Sequence, residues 1–133
     1  MKISEHLARA ESFERSIGKL DPVADAELYV VFLMRAATNR VNAALHALGV
    51  TDTVASEARV GDLNHTYKPK LECDLPAEVQ RMFEPLKFLE DLRPEYVRGP
   101  LPLSTALADD CRRAHAEVVE RTTAAIERRR AAA

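Results

Sequence analysis

One long apolar stretch, from Asp21 to Gly49, constrains the fold of this chain more than any other feature. Asp21 and Pro22 are suited to start a helix, because the carboxylate accepts amide hydrogen bonds of the first turn and proline presets φ where no donor is needed. Gly49 permits the left-handed backbone on which helices often end. The residues between are mostly apolar or good helix formers. The sequence therefore predicts one unbroken helix over residues 22–48, at the centre of a helical core.

A narrow polar stripe interrupts this apolar helix. Its members recur at spacings of four, three and four, which places them on one side of a helix: Arg35, Asn39, Asn42 and His46. Arginine can hold a carboxylate or phosphate in a fork, asparagine amides both donate and accept, and histidine changes charge near neutral pH. Leu28 and Phe32 place apolar groups on the same side. The stripe is either a solvent-facing edge, a subunit contact, or a polar cleft that binds a small anion or nucleotide.

Apolar periodicity predicts three further helices. The first spans Ser4 to Leu20, and the third begins at Pro76 and is kinked or split at Pro85, with a split favoured. Ser104 or Thr105 caps the last helix. No segment alternates with period two for long enough to demand a strand. The expected fold class is therefore all-α, an up-and-down antiparallel bundle of four main helices.

Two irregular connections join these helices. Val50 to Leu75 is long for a loop, and a short helix around Val54 to Val60 would shorten it. His65 and Tyr67 form a polar and aromatic pair within it, and they are candidate ligand-binding residues. The segment 93–103 carries three prolines and is expected to be extended and irregular.

Composition limits the classes of function. The chain has 133 residues, 47% of them hydrophobic and 30% charged, which suits a single globular domain over residues 1–133. Nineteen basic and 21 acidic residues give a formal charge of −2, so nucleic acid binding would need a local patch. The start lacks a signal-peptide core and the longest apolar run, 28–34, is too short to span a bilayer. We expect a cytoplasmic protein with no membrane partner.

Several motifs follow one another in an order that a known family shares. They are Ala8 and Ala10 in the first helix, Tyr29 and Phe32 in an Ala-rich second helix ending Ala-Leu-His-Ala-Leu-Gly, Leu89-Glu-Asp-Leu-Arg93-Pro-Glu-Tyr96, and a final helix after Leu103. In this order the chain resembles the HEPN domain (higher eukaryotes and prokaryotes nucleotide-binding), a compact helical bundle common in bacterial toxin and nucleic-acid-defence systems. The resemblance implies a homodimer, with a nucleotide, RNA or protein as partner.

In active HEPN proteins, an Arg followed four to six residues later by a His forms a metal-independent ribonuclease site. The matching place here holds Arg93 and Tyr96 with no following histidine. An unperturbed phenol titrates near pH 10 and is a poor substitute for imidazole as a proton carrier. We therefore expect a binding or interaction module without catalysis. The alternative is a residual ribonuclease that uses Arg93, Tyr96 and a histidine brought near by folding.

Two other segments have the same spacing, Arg40 to His46 and Arg59 to His65. About one such match is expected by chance, and a motif without its structural context is only a hypothesis. Arg40 and His46 are also six residues apart in one helix, about 120° around its axis, so they point to different faces. Arg40 and His46 are therefore not expected to form a catalytic pair.

A metal-binding bundle is the remaining alternative. Cys111 and His115 lie one helical turn apart, a geometry that can hold zinc. Cys111 also falls in an apolar stripe, where a small buried thiol is the commoner explanation. With no Cys-x-x-Cys spacing, Cys73 and Cys111 are expected to be free thiols. The sequence alone thus favours a protein without a metal or other cofactor.

Overall fold

A computed structural model describes residues 1–57, 60–63 and 75–133. Within these residues the chain forms four α-helices and no strand: α1 Ile3–Ile17, α2 Ala26–Ala47, α3 Ala77–Glu90 and α4 Thr105–Ala132. Helix α2 packs against each of the other three helices and so forms the centre of the bundle. The expected all-α bundle of four main helices is confirmed.

Helix α2 is unbroken, but it begins one turn later than predicted. The carboxylate of Asp21 accepts hydrogen bonds from the amides of Val23 and Ala24, each at 2.9 Å, and so caps a separate turn that leads into the helix. At the other end Gly49 has a φ of 73°, the left-handed conformation expected of it. The local signals therefore marked both ends of α2 to within a turn.

The apolar faces of the helices meet in one core. Its largest fully buried side chains come from α2, α3, α4 and the segment before α4: Val30, Leu33, Val41, Leu45, Val79, Met82, Leu89, Leu103 and Val118. Complete burial of each large aliphatic side chain stabilises the fold by about 1.5–3 kcal/mol. Helix α1 contributes a smaller buried face, in which a polar residue, His6, lies beside Ala10.

Helix α3 continues through Pro85 and is bent, so the favoured split at that residue does not occur. A proline removes one amide donor from the helix, and here the buried neighbours Met82 and Leu86 hold both halves on α4 and α2. After α3 the residues Arg93–Val97 form a single π-helical segment that packs against α2, in place of the extended chain expected there. Proline at its second position is compatible with a helical start.

The start of α4 agrees with the prediction from the sequence, whereas the segment around Val54 does not. The hydroxyl of Ser104 accepts a hydrogen bond from the amide of Leu107 at 3.1 Å, so Ser104 caps α4. Residues 54–57 are not helical, so the short helix expected around Val54 to Val60 does not form in the described part of that segment. None of the helices described is both long enough and apolar enough to cross a bilayer.

Candidate metal centre

Two imidazoles from different helices face one carboxylate on the loop after α2. His6 on α1 and His46 on α2 place their Nε2 atoms 2.8 and 2.7 Å from the same oxygen, Oδ1 of Asp62. The two imidazole centroids are 5.3 Å apart. Only 4% and 1% of the two histidine side chains is exposed, against 34% of Asp62. Within the described part of the chain, no other group of three metal-ligating side chains lies as close together.

The loop reaches the helices through a few specific backbone contacts. After the turn at Gly49, the amide of Asp52 donates to the carbonyl of Val60 at 2.8 Å, which folds the loop back on itself. Asn42 then holds Leu63 at both ends: its Nδ2 donates to the carbonyl at 2.9 Å and its Oδ1 accepts from the amide at 2.8 Å. Because Leu63 follows Asp62, this clamp positions the carboxylate.

Gly61 precedes the carboxylate and is buried. A Cβ atom at this position would lie 2.8 Å from the Cβ of Ala55 and 3.1 Å from its Cα and N atoms. Real Cβ atoms do not approach other atoms so closely without displacing them. The chain at Gly61 passes so close to Ala55 that glycine is required immediately before Asp62.

The contact of Nδ1 of His6 with Asn39 shows which of its two ring nitrogens carries a hydrogen. Asn39 donates from Nδ2 to the carbonyl of Arg35 at 2.8 Å, which leaves its Oδ1 facing Nδ1 of His6 at 2.8 Å. An amide oxygen can only accept, so Nδ1 of His6 carries a hydrogen. In the neutral imidazole the lone pair is then on Nε2, directed at Asp62. A lone pair facing a carboxylate oxygen at 2.8 Å requires a proton or a metal ion at this contact.

His46 is held in a similar way. Its Nδ1 lies 2.6 Å from the buried hydroxyl of Thr51, which can either donate or accept. Both ring nitrogens of His46 are thus engaged, one by Thr51 and one by Asp62. The ring is fixed in orientation from both sides, as the ligands of protein metal sites usually are.

Asp62 is an anion across the physiological range. Burial raises the pKa of this carboxyl, but hydrogen bonds with His6, His46 and the amino terminus outweigh that effect and hold the pKa at about 2. The amino group of Met1 lies 3.0 Å from Oδ2, the oxygen that the histidines do not contact. Two imidazole nitrogens and an ionised carboxylate oxygen make a donor set suited to divalent transition metals.

A groove of about 220 Å³ opens beside this cluster, between α1 and α2. Its wall on α1 includes Arg9 and Phe13, and its wall on α2 includes Arg35 and Thr38. Its remaining lining is Met1, His6, Asn39, Asn42, Asp62 and Leu63. The carboxylate of Asp62 is thus reachable from outside, whereas the histidines are covered.

The predicted polar stripe runs along this groove and its end. Asn39 contacts His6, Asn42 clamps the loop, and His46 contacts Asp62. Arg35 is exposed and lines the groove. Of the two apolar residues predicted to flank the stripe, Leu28 is 49% exposed, and Phe32 packs on Phe13, with ring centroids 5.5 Å apart.

His6 and Asp62 were not among the site residues predicted from the sequence. A signal existed for His6, which lies three residues after Ile3 and four before Ala10 and hence on the buried face of α1. A histidine on such a face needs polar partners. Asp62 had no local signal, because it lies in an irregular segment and meets His6 across 56 residues of sequence.

Cys111 and His115 are not part of this cluster. Nε2 of His115 lies 2.7 Å from Oε2 of Glu14. Arg40 donates to the same oxygen at 2.7 Å and to Oε1 of Glu14 at 2.6 Å. Arg40 and His46 thus engage different partners on different faces of α2. Cys111 is buried, and burial together with the charge of Asp110 raises the pKa of its thiol to about 11. At neutral pH this thiol is protonated and behaves as a small buried apolar side chain.

The remaining site residues predicted from the sequence lie away from this cluster or outside the residues that the structure describes. Arg93 and Tyr96 are in the π-helical segment, and in the described part of the chain no hydrogen bond or ion pair joins either to a histidine. His65 and Tyr67 lie outside the described residues, as do Arg59 and Cys73.

Comparisons with protein-family models, with curated proteins and with solved structures each found no match to this chain. The resemblance to HEPN domains therefore stays a prediction from the sequence.

Proposed function

We propose that this protein is a metal-binding helical bundle in which His6, His46 and Asp62 hold one divalent transition-metal ion. The observation that carries the proposal is the convergence of both Nε2 atoms on one carboxylate oxygen, at 2.8 and 2.7 Å, with Nδ1 of His6 committed as a donor to Asn39. A hydrogen on Nδ1 leaves Nε2 available as a ligand. The proposal concerns binding, and it assigns no reaction to the ion.

Each of the two nitrogen–oxygen separations is short enough for both atoms to bind the same ion. Metal–nitrogen and metal–oxygen bonds are about 2.0–2.2 Å long, so the observed nitrogen–oxygen separations correspond to angles of about 80–90° at a shared ion. Two histidines and one carboxylate leave other positions of the ion open, and the same set of donors occurs in non-haem iron(II) sites.

The residues behind the ligands support the same conclusion. Metal-binding histidines usually donate their other N–H to an oxygen, which fixes the ring and makes the ligand more basic. Nδ1 of His6 donates to the amide oxygen of Asn39, and Nδ1 of His46 contacts the hydroxyl of Thr51. Both rings are therefore already oriented for an ion beside Asp62.

The competing interpretation is that the cluster of His6, His46 and Asp62 binds no metal. The cluster would then share protons and only hold the loop against α1 and α2. The binding role expected from the sequence is compatible with the metal proposal, because the polar stripe supplies His46 and the residues behind the ligands. The homodimer, the cytoplasmic location and the residual ribonuclease with its RNA substrate remain predictions from the sequence.

Metal titration of the purified protein tests the proposal. After removal of bound ions with a chelator, Co²⁺, Mn²⁺, Ni²⁺ and Zn²⁺ are added in calorimetric titrations. We expect one ion per chain, and visible absorption bands of Co²⁺ whose intensity reports its number of ligands. The variants Asp62→Asn and His46→Gln remove one ligand each, and we expect affinity to fall by more than about 100-fold, beyond the loss typical of residues behind the ligands.

His115→Gln is the matched control, because it changes a histidine that contacts Glu14 and lies outside the cluster. Its metal affinity should equal that of the unaltered protein. Absence of metal binding by the folded parent protein, or equal affinities in all four proteins, would contradict the proposal. Circular dichroism of each variant establishes that it is folded.

A further inference from the structure

We infer that the groove beside the proposed metal centre takes a small molecule with an oxyanion group, a carboxylate or a phosphate. In this arrangement Arg9 and Arg35 hold the anionic group while another oxygen of the same molecule reaches the ion. The inference rests on the proposed metal function for its second contact only. The first contact, between the arginines and the anion, stands on the groove itself.

The charges around the groove favour an anion. Arg9 lies three residues after His6 on α1, and Arg35 lies four residues before Asn39 on α2, so one guanidinium stands on each wall. Both side chains are exposed, and within the described residues neither forms an ion pair with a carboxylate. Among the described residues that line the groove, Asp62 is the one acidic residue. A bound divalent ion would more than balance it.

A second observation concerns Thr38, which also lines the groove. Its hydroxyl oxygen is buried and has no hydrogen-bond partner among the described residues. Buried polar atoms in native proteins are nearly always hydrogen-bonded, and exceptions call for an explanation such as a bound group. A hydroxyl can donate to an anionic oxygen, so Thr38 offers an uncharged polar group at the wall of the groove, in addition to the two arginines.

The other polar groups of the groove are already used. The side-chain amide of Asn39 accepts from His6 and donates to the carbonyl of Arg35. The side-chain amide of Asn42 forms both of its hydrogen bonds with the backbone of Leu63. The donors that remain are the two guanidinium groups and the Thr38 hydroxyl. Two guanidinium groups, which can only donate, match a ligand group that only accepts, which is what an ionised carboxylate or phosphate is.

The size of the groove limits the ligand. A volume of about 220 Å³ is below the range of roughly 300–1,000 Å³ that is typical of pockets for drug-sized molecules. The ring of Phe13, packed on Phe32, forms an apolar part of the wall on α1. A short dicarboxylate or the phosphate ester of a small alcohol fits these limits, with the anion at the arginines and a second oxygen toward Asp62.

Titration of the Co²⁺-loaded protein with malonate and, separately, with inorganic phosphate tests the inference. We expect saturable binding of at least one probe, with a change in the visible spectrum of the ion as a ligand oxygen joins it. Binding of malonate alone assigns the groove to carboxylates, and binding of phosphate alone assigns it to phosphate esters. Failure of both probes to bind at millimolar concentration would overturn the inference.

Substitutions separate the two contacts. Arg35→Gln and Arg9→Gln should each weaken anion binding about 10–100-fold, the effect of losing one charge-assisted hydrogen bond, while Co²⁺ affinity stays unchanged. Thr38→Val keeps the side-chain shape and should weaken anion binding less. Arg15→Gln is the control, because Arg15 is exposed on the same helix and does not line the groove. Anion affinity that is equal in all these variants would overturn the inference.

A parallel titration of metal-free protein keeps this test independent of the metal proposal. If the parent protein binds no ion, weak anion binding that Arg35→Gln abolishes still supports the anion site and removes only its metal contact. Anion binding that depends on Arg35 but leaves the Co²⁺ spectrum unaltered contradicts the shared contact. Loss of metal binding and of anion binding are thus observed separately.

Discussion

Asn42 positions the candidate metal centre although it is not itself a proposed ligand. Both ends of its amide are bound to the backbone of Leu63, so one side chain takes the place of a short backbone ladder between α2 and the loop. Gly61 is equally specific, because the side chain and backbone of Ala55 occupy the space that a side chain at Gly61 would need. Neither residue touches the proposed ion, yet both determine where Asp62 lies.

The first prediction at this scale concerns Asn42. We expect Asn42→Ala to lower the free energy of unfolding by about 1–3 kcal/mol, because the amide and carbonyl of Leu63 lose their partners in a partly buried position. Metal affinity should fall about 10–100-fold, since Asp62 loses its support. Urea denaturation and Co²⁺ titration measure the two effects. A variant with the affinity of the parent protein would show that the loop is held by other contacts.

Gly61 gives the second prediction. Gly61→Ala should destabilise the fold by about 1–3 kcal/mol, because the new methyl group overlaps Ala55 and the loop must shift. Gly18→Ala is its control: Gly18 has a φ of −62° and a Cβ there makes only ordinary contacts, so we expect a neutral or slightly stabilising effect. Thermal denaturation of the two variants side by side checks the contrast, and equal melting temperatures would contradict it.

At the scale of elements, one ion-pair cluster joins three helices. Glu14 on α1 lies between Arg40 on α2 and His115 on α4, and only 19% of the glutamate side chain is exposed. Burial raises the pKa of Glu14, but the hydrogen bonds and charges of Arg40 and His115 outweigh it and hold the pKa at about 2. Its usual value is 4.5. The folded protein therefore binds this proton less tightly than the unfolded chain does.

The third prediction follows from this lowered pKa. The stabilisation from ionised Glu14 is complete above its usual pKa and is lost as the pH falls from about 4.5 toward 2. Near neutral pH, Glu14→Gln should cost on the order of 2 kcal/mol, because Arg40 keeps its charge in a half-buried position without its partner. The difference between the two proteins should shrink on acidification. Urea denaturation at several pH values measures it, and a constant difference would contradict the assignment.

At the scale of the whole molecule, the candidate centre links α1, α2 and the returning loop, so ligand binding and folding are coupled. A metal ion whose three ligands come together only in the folded chain stabilises that state by mass action. The groove between α1 and α2 opens at the same junction, so an anion bound there would add to the same effect.

The fourth prediction is a metal-dependent melting temperature. At a free Co²⁺ concentration about 100 times the dissociation constant, linkage gives about 2.7 kcal/mol of added stability. For a domain of this size the melting temperature should rise by about 10 °C. The same Co²⁺ concentration should leave the melting temperature of Asp62→Asn nearly unchanged, because this variant binds the ion much more weakly. Differential scanning calorimetry measures the shift, and an equal rise in both proteins would indicate binding at other surface groups.

The sequence by itself determined the helices and one side of the site. Apolar periodicity, Ser104 and Gly49 act over a few residues, and so the central helix, its exit and the start of α4 were predictable from local rules. The stripe of Asn39, Asn42 and His46 followed from the same helical spacing. These features depend on interactions between near neighbours in the chain, which the sequence displays directly.

Only the tertiary structure decided what faces that stripe. His6 and Asp62 meet across 56 residues, and His46 and Asp62 across 16, through a loop whose return depends on one glycine and one asparagine clamp. Such contacts arise from how helices pack and loops close. No local propensity specifies them, because the free energy that holds them comes from burial and from hydrogen bonds between distant parts of the chain.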